Sequence, residues 1–276
     1  MLLKAQQPVQ PGQINAFRDP ANKNGQGMPR IDVNQAGLEE IPPVEVAKSV
    51  DRLKKAEKEN ELSDEERVML YMHQLTMFRR DIQLYSRSYL GYGLMIARQT
   101  IFVNETDDRQ LLESHQLKTR CFVPDSPGQF KFQDRTWSVQ AHADVNADER
   151  FYSCLSSVDR YVALNVQPAV GLEQMSIYVF SYFYDIANDA GLLSLDDPLS
   201  TVTTLPISVL KKAAKNVCRG GTSASVDHPF LCFDLTYIYS LLTKGYGLSE
   251  EIPIHICKKI QQFEVAWSLG LALKLL

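Results

Sequence analysis

The most restrictive feature of this sequence is an almost unbroken run of apolar and aromatic residues in its second half. The run covers residues 176–184 and contains Ile177, Val179, Phe180 and Phe183 together with three tyrosines. β-Branched and aromatic residues favour strands, and a strand without regular polar alternation is typically covered on both faces. The run therefore predicts a strand in the middle of a sheet, with helices packed against it.

Helical and alternating patterns surround this run. Ser63-Asp64-Glu65-Glu66 has the form of a capping box, which predicts a helix with apolar positions from Val68 to Phe78. Apolar periodicity predicts further helices over residues 85–101, 206–217, 234–244 and 264–276. Alternation predicts a hairpin over residues 130–132 and 136–139, and a strand through the isoleucines at 252, 254 and 256. Helices mixed with buried strands predict the α/β class.

Composition excludes several functional classes. Hydrophobic residues make up 45% and charged residues 22% of the 276 positions, as in a globular protein with a sizeable core. The 29 basic and 33 acidic residues give a net charge of −4, so a basic surface for nucleic acid is not expected. We find neither an apolar run of about 18 residues nor the apolar segment of a signal peptide at the start, and expect no membrane span in this chain.

The sequence divides into three parts by pattern. Residues 1–35 are rich in Gln, Asn, Pro and Gly and have no apolar period, so we expect a disordered segment or one foreign to the fold. Residues 36–80 carry a charged run and the capping box, and are expected to form a helical lead-in. Residues 81–276 hold the remaining periodic segments and are expected to form the folded lobe.

Five cysteines occur, at positions 121, 154, 218, 232 and 257. They form no Cys-x-x-Cys pair and have no histidine at ligand spacing, which argues against a zinc site. By count alone, buried thiols and disulfides both remain open.

Three segments, in this order, carry a family resemblance. They are residues 84–98 (LYSRSYLGYGLMIAR), residues 178–185 (YVFSYFYD), and a third set made of residues 229–238 (PFLCFDLTYI), 245–247 (GYG) and 264–270 (EVAWSLG). Together they resemble the apyrase superfamily, the ecto-nucleoside triphosphate diphosphohydrolases, over roughly residues 80–276. The similarity is greatest to the soluble, secretory-pathway nucleoside-diphosphatase branch. Triphosphate-preferring relatives have an arginine where this chain has Leu94, which favours that branch.

The resemblance implies a fold and a reaction. The fold would be one lobe of an actin-like (ribonuclease-H-like) two-lobed structure, with the N-terminal lobe missing from this chain and serving as its partner. The reaction would be hydrolysis of the terminal phosphate of UDP- or GDP-like nucleotides, an acid anhydride, by water that Ca²⁺ or Mg²⁺ assists.

The phosphate-binding motifs of that family are absent from this sequence. One would read Asp-x-Gly-Ser-Thr-Gly and the other Asp-Leu-Gly-Gly-x-Ser-Thr, and neither occurs. The catalytic base cannot be assigned either. Gly220-Gly221-Thr222-Ser223 is glycine-rich but lacks the aspartate, and is not expected to bind phosphate. The alternative function is therefore a non-catalytic fragment or remnant that binds a nucleoside or a partner protein.

The resemblance also implies site residues. Tyr182, Tyr184 and Asp185 would bind the nucleoside, by stacking and by accepting a hydrogen bond. The alternative is that the aromatic residues here are core, which we expect for Phe180 and Phe183.

Trp267 is similar to the family tryptophan that orients a metal-bound water through its indole N–H; the alternative is a core residue on an apolar helix. Glu264 is expected to reach the same cleft. We expect Asp234, by contrast, to have a structural role as a helix cap.

Disulfides Cys121–Cys154 and Cys218–Cys232 are implied by the same branch, and Cys257 would remain free. Asn104-Glu105-Thr106 is an N-glycosylation acceptor triplet. Disulfides together with a glycan at Asn104 indicate an oxidising compartment, so we expect the secretory-pathway lumen, endoplasmic reticulum or Golgi, or the extracellular space.

Overall fold

The helices and strands are taken from a computed structural model that describes residues 3–4, 71–77, 80–123, 128–164, 166–168, 171–193, 202–220, 227–260 and 263–264. The α-helices are α1 (Leu94–Glu105), α2 (Arg109–Glu113), α3 (Arg150–Ala163), α4 (Tyr182–Asp189), α5 (Ile207–Arg219) and α6 (Leu231–Ser240). A 3₁₀ turn covers Leu172–Gln174, and a π-helical turn, Leu241–Gly245, follows α6. The strands are β1 (Leu3–Lys4), β2 (Met72–Met77), β3 (Arg80–Tyr85), β4 (Gln116–Thr119), β5 (Gly128–Phe132), β6 (Arg135–Ala141), β7 (Ile177–Val179), β8 (Val202–Pro206), β9 (Pro253–Cys257), β10 (Lys259–Ile260) and β11 (Phe263–Glu264).

A mixed four-stranded sheet has the order β1-β7-β9-β8. Strands β7 and β9 are parallel, and the other two pairings are antiparallel. Ile177 pairs with Ile254 and Val179 with Ile256, and all four side chains are buried. The expected strand is thus confirmed at Ile254 and Ile256, whose side chains belong to the core, whereas Ile252 lies just before its first residue. Helices and strands together place the described residues in the α/β class.

A second sheet has the order β4-β6-β5, in which β5 and β6 form an antiparallel hairpin. This confirms the hairpin expected from the alternation near residues 130–139. Phe130 and Trp137 face each other across the hairpin, and both are buried.

The helical core is built around α6, in which all ten residues are buried. Helix α5 packs against it with an amphipathic face whose buried residues recur at three- and four-residue spacing (Ile207, Leu210, Ala214, Val217 and Cys218). The helices expected over residues 206–217 and 234–244 are confirmed, with the second beginning three residues earlier at Leu231.

Two disulfides join the elements of this core. Cys121–Cys154 ties the end of β4 to α3, and Cys218–Cys232 ties α5 to α6. The Cα atoms are 4.7 Å apart in both pairs, which is within the normal range for a disulfide. These are the pairs that the resemblance implies, and Cys257 is free and buried as expected.

The helix expected from the capping box to Phe78 is wrong where the structure describes it. Residues Met72–Met77 form β2, which pairs with β3 in an antiparallel hairpin. The hydroxyl of Thr76 donates to Asp81 across this hairpin at 2.6 Å. Cross-strand pairing outweighs the local helical preference here. The capping box itself and the rest of residues 36–70 lie outside the described residues.

The helix expected over residues 85–101 is also displaced. Tyr85 ends β3, and α1 begins only at Leu94. Gly91 has a φ of +89°, a conformation that ends any helical path through this segment. Leu90, one of the apolar residues from which this helix is predicted, is 75% exposed.

The run at residues 176–184 contains less strand than its composition predicts. Strand β7 ends at Val179, the chain turns at Phe180–Ser181, and α4 begins at Tyr182. Ser181 has φ +58° and ψ −130°, a conformation that extended strands do not contain. A strand through Tyr184 is therefore wrong, and the last part of the run is helical.

Two corrections concern the ends of the chain. Glu264 lies in β11, paired with Lys259 of β10, so a helix does not begin there; residues 265–276 lie outside the described residues. Leu3 and Lys4 pair with Tyr178 and Ile177 of β7. Part of segment 1–35 therefore belongs to the sheet, and the remainder of that segment lies outside the described residues.

A buried ion pair joins α1 to α6. The Nη2 atom of Arg98 lies 2.5 Å from Oδ1 of Asp234, and both residues are more than nine-tenths buried. The guanidinium also lies over the ring of Phe230, 4.5 Å from its centroid. Phe230 occupies the N-cap position of α6, so the expected capping role of Asp234 is wrong. Its role is structural, through Arg98.

Replacing only one member of this ion pair should destabilise the fold. We expect Asp234→Ala to lower the free energy of unfolding by about 3–5 kcal/mol, because Arg98 is left buried without its counter-charge. The double variant Asp234→Leu with Arg98→Met removes both charges and should recover most of that loss. Denaturant unfolding of the two variants is the measurement, and a single variant within about 1 kcal/mol of the parent would contradict it.

Candidate nucleoside site

The three residues expected to bind a nucleoside lie in the first turn of α4. Backbone hydrogen bonds from Tyr184 and Asp185 to the carbonyl of Ser181, at 2.8 and 3.3 Å, start the helix. Buried Phe183, Ile186 and Ala187 recur at three- and four-residue spacing and anchor it to the core. Phe183 and Phe180 are core residues, as expected.

The change from strand to helix alters which side chains share a face. In a strand, Tyr182 and Tyr184 would point to the same side. In a helix with 3.6 residues per turn they point to nearly opposite sides, whereas Tyr182 and Asp185 lie on one face. The three residues are therefore brought close together, but Tyr184 cannot act from the same side as Tyr182.

Tyr182 belongs to a group of aromatic side chains that we call the tyrosine cluster (Tyr89, Tyr92, Tyr161, Tyr182, Tyr237 and Tyr246). Burial raises the pKa of the Tyr182 phenol well above its ordinary value. Burial also raises the pKa of Tyr246, and the nearby phenol of Tyr182 raises it further. The phenols therefore stay neutral near neutral pH and keep their hydrogen-bond donors.

Hydrogen bonds from this cluster hold the turn over residues 89–93 in place. The phenol of Tyr237 donates to the carbonyl of Tyr92 at 2.6 Å, and that of Tyr161 donates to the carbonyl of Gly91 at 2.5 Å. Tyr92 in turn donates to the carbonyl of Tyr161 at 3.2 Å. The turn is thus fixed from α6 and from α3 at once.

The turn places one more aromatic ring beside the site. The ring of Tyr89 lies edge-on to Tyr246 with 6.0 Å between centroids, and its phenol donates to the carbonyl of Gln167 at 2.9 Å. Tyr89, Tyr182 and Tyr246 are all half-buried, so each is packed and still has accessible surface. Such rings offer stacking surfaces to a planar ligand.

Sequence reasoning missed Tyr246 as a site residue. The Gly-Tyr-Gly segment at 245–247 contributed to the family resemblance, but no role followed for its tyrosine. The two glycines on either side of Tyr246 were the sequence feature that could have indicated its role. A Cβ at Gly245 would come within 3.0 Å of Val162 and Val166, and Gly247 has a φ of +72°. Glycine at both positions allows the close packing and the turn that place Tyr246.

Asp185 supplies the polar group of this face. Its carboxylate is exposed and forms no hydrogen bond or ion pair with another described residue. Its place in the first turn of α4 is favourable for a negative charge, because of the helix dipole. It is thus available to accept a hydrogen bond from a ligand.

The glycine-rich segment at 220–223 does not follow a strand. Gly220 ends α5 with a φ of +84°, and a Cβ there would meet Val123 at 2.9 Å. Its role is to end a helix where neighbouring residues approach closely. Residues 221–223 lie outside the described residues.

The expected metal-linked residues lie at or beyond the end of the described part of the chain. Trp267 lies outside the described residues, and only the backbone of Glu264 is described. Within the part of the chain that the structure describes, we find no group of three or more His, Cys, Asp or Glu side chains that could hold a metal ion. In the same part of the chain, no helix has the length and apolar content to span a membrane.

Comparison with known proteins identifies the family. The model of the GDA1/CD39 (nucleoside phosphatase) family matches residues 50–276. The chain belongs to this family. The match starts 31 positions before residue 81, where we expected the folded lobe to begin, and so includes the described β2–β3 hairpin.

Curated relatives are similar over much of this chain. Nucleoside-diphosphatase uda-1 of Caenorhabditis elegans is 31% identical over 73% of this chain and 42% of its own length. Ectonucleoside triphosphate diphosphohydrolase 6 of Rattus norvegicus is 32% identical over 71% of this chain and 41% of its own. Nucleoside diphosphate phosphatase ENTPD5 of Homo sapiens is 28% identical over 75% of this chain and 46% of its own. The chain thus spans less than half the length of these relatives.

The backbone of Ser181, which sets the start of α4, gives a stability prediction. A non-glycine residue at this φ and ψ costs about 1–3 kcal/mol, and glycine adopts positive φ without that cost. We expect Ser181→Gly to raise the free energy of unfolding by roughly 1 kcal/mol, since its greater chain entropy offsets part of the gain.

Ser181→Ala is the matched control, because it removes the same hydroxyl but keeps the Cβ. Its unfolding midpoint in denaturant should not exceed that of the parent. Equal midpoints for the glycine and alanine variants would show that Ser181 is not strained.

Proposed function

We propose that this protein takes part in hydrolysing the terminal phosphate of nucleoside diphosphates such as UDP or GDP, with Ca²⁺ or Mg²⁺ as the assisting cation. Membership of a nucleoside phosphatase family supports this proposal. The names of the similar nematode and human proteins, a nucleoside-diphosphatase and a nucleoside diphosphate phosphatase, support the diphosphate as substrate.

The role that we propose for the described residues is to hold the nucleoside. The observation that carries it is the half-buried face made by Tyr182, Tyr246 and Tyr89 beside the exposed carboxylate of Asp185. Stacking on an aromatic ring tolerates several bases, because every base has a π face. A carboxylate at the edge of such a surface accepts hydrogen bonds from a base or a ribose hydroxyl.

The phosphate chemistry would need groups beyond this face. A transferring phosphoryl group requires backbone N–H donors, a bound cation and a positioned water. The two glycine-rich motifs that supply the first of these in the family do not occur in this sequence. This sequence therefore holds no motif that identifies a catalytic base. Trp267 remains our candidate for orienting a metal-bound water.

A second candidate function is binding without hydrolysis. The missing motifs favour this function for the present chain, whereas the aromatic face favours affinity for nucleosides. The two candidates are separated by whether phosphate is released from a nucleotide that binds.

We also propose that the protein works in the secretory pathway lumen or outside the cell. The disulfides Cys121–Cys154 and Cys218–Cys232 support this, because disulfides form and persist in oxidising compartments.

The proposed partner of this lobe is the N-terminal half of an actin-like fold.

Two single substitutions test the nucleoside site. One removes Tyr246, which lies near Tyr182, and the other removes Tyr184, which points to the opposite side of α4. We expect the chain to bind UDP or GDP, and Tyr246→Ala to weaken binding by about 5–150-fold, which corresponds to the 1–3 kcal/mol of one base–aromatic stack. Calorimetric titration of parent and variant is the measurement.

Tyr184→Ala is the matched control. It removes a half-buried tyrosine of the same neighbourhood that points away from Tyr182, so its affinity should stay within about twofold of the parent. Equal losses in both variants would show that the site is not on the face of Tyr182. A parent chain that binds no nucleotide would refute the nucleoside site altogether.

We expect no hydrolysis by this chain alone. Removing a single transition-state donor typically costs about 10²–10³ in rate, and here every phosphate contact of the family motifs is absent. The measurement is phosphate release from UDP, GDP and ADP with millimolar Ca²⁺ or Mg²⁺, with Trp267→Ala as control. Metal-dependent turnover that Trp267→Ala abolishes would establish a complete catalytic site and overturn this expectation.

A further inference from the structure

The glycan acceptor triplet lies at the end of α1, where its three residues have different environments. Asn104 is exposed in the last helical turn, whereas Glu105 and Thr106 are 7% and 5% exposed. Such triplets are usually read as surface loops. Here the acceptor amide faces solvent, but the hydroxyl that defines the triplet is buried.

The hydroxyl of Thr106 is used by the fold itself. It donates to the carbonyl of Phe102 at 2.8 Å and accepts from the backbone N–H of Lys118 at 2.9 Å. The second bond joins the end of α1 to β4. The glycosyl transferase must contact the hydroxyl at the third position of the triplet. In the folded chain this hydroxyl is already hydrogen-bonded to β4.

Glu105 fixes the same segment from its other side. Its carboxylate accepts hydrogen bonds from the hydroxyl of Thr119, from the backbone N–H of Arg120 at 3.1 Å and from the hydroxyl of Ser157 at 2.5 Å. The carboxylate of the middle residue is thus held between β4 and α3. Local opening of the triplet would exchange these three hydrogen bonds for bonds to water, and hydrogen bonds to a charged group contribute more to stability than neutral ones, so opening is costly.

We propose that Asn104 is glycosylated only before α1 packs on β4, and that folding then closes the triplet. In the reaction, the amide nitrogen of Asn104 forms a bond to C1 of an oligosaccharide carried on a polyprenyl pyrophosphate. The bond from C1 to the pyrophosphate oxygen breaks, the lipid pyrophosphate leaves with the electron pair, and one amide proton is lost to a base of the transferase. The finished glycan is compatible with the fold, because Asn104 is exposed.

Formation of the disulfide Cys121–Cys154 would determine when the triplet becomes inaccessible. The backbone N–H of Cys121 donates to the hydroxyl of Thr119 at 3.1 Å, and Ser157 lies three residues after Cys154 on α3. The disulfide therefore joins the two elements whose hydroxyls hold Glu105. Until it forms, β4 and α3 are linked only through the chain, and the triplet stays accessible for longer.

The experiment compares folded and unfolded forms of the full chain as acceptors. Purified oligosaccharyltransferase and a lipid-linked oligosaccharide are added to oxidised, folded chain and to chain that has been reduced and carboxymethylated. The glycan is located by peptide mass spectrometry. We expect modification of Asn104 in the unfolded chain, and at least a tenfold slower reaction in the folded chain.

Asp134→Asn supplies a matched control within the same molecule. It creates a second acceptor triplet that starts at the last turn residue before β6 and continues into the first two residues of that strand, where Asp134, Arg135 and Thr136 are all exposed. Asparagine tolerates the φ of +60° at this position. Position 134 should be glycosylated in both the folded and the unfolded variant, whereas Asn104 should react only in the unfolded one.

Three outcomes would overturn the proposal. The first is equal modification of Asn104 and position 134 in folded chain. The second is an unfolded chain that is modified at position 134 but not at Asn104. The third is a folded Asp134→Asn variant that is glycosylated at neither position. The lack of reaction at Asn104 would then not be explained by the burial of Thr106.

The link to the disulfide has its own test. The double variant Cys121→Ser with Cys154→Ser, kept in native buffer, should accept a glycan at Asn104 at least tenfold faster than the folded parent. An unchanged rate would remove the disulfide from the proposal, and loss of all acceptance, in this variant and in the unfolded parent alike, would refute it.

Discussion

Helix α6 is buried on every side, and each polar side chain that it carries into the interior has to be paired there. Asp234 binds Arg98 of α1, and Tyr237 donates to the carbonyl of Tyr92. Ser240 donates to Asp159 of α3 at 2.5 Å, while Thr236 donates to the carbonyl of Cys232 within the helix itself. Because unpaired buried polar groups are costly, these contacts fix where α1, α3 and the turn at residues 89–93 lie.

The geometry of the candidate site depends on these contacts of α6. The turn that carries Tyr89 is held by a phenol from α6 and a phenol from α3, and Tyr246 follows directly after the π-helical turn that ends α6. Helix α4 begins after Ser181, whose φ is positive, and packs against both α6 and β9. A stacking surface made of rings from separate elements is rigid when each ring is anchored by its own element, which lowers the entropy cost of binding a planar ligand.

Sequence reasoning succeeded where local pattern and tertiary packing agree. The amphipathic spacing of α5 and the alternation in β5, β6 and β9 identified these elements, because one face of each is buried. It failed where a single backbone conformation decides the outcome. Aromatic residues after β7 favour a strand, but Ser181 turns the chain and the spacing of Phe183, Ile186 and Ala187 then suits a helix. That later spacing was visible in the sequence; the conformation of Ser181 was not.

The same limit explains which part of the site could be predicted. Family resemblance nominates Tyr182, Tyr184 and Asp185 as candidates, since it depends on residue identity and order. It did not say which of them act together, because that depends on whether the period is two or 3.6 residues. The contribution of Tyr246 depends on contacts between residues more than 60 positions apart, and no local pattern encodes those. The sequence thus offers candidate residues for a site, whereas the face that those residues share is determined only by the fold.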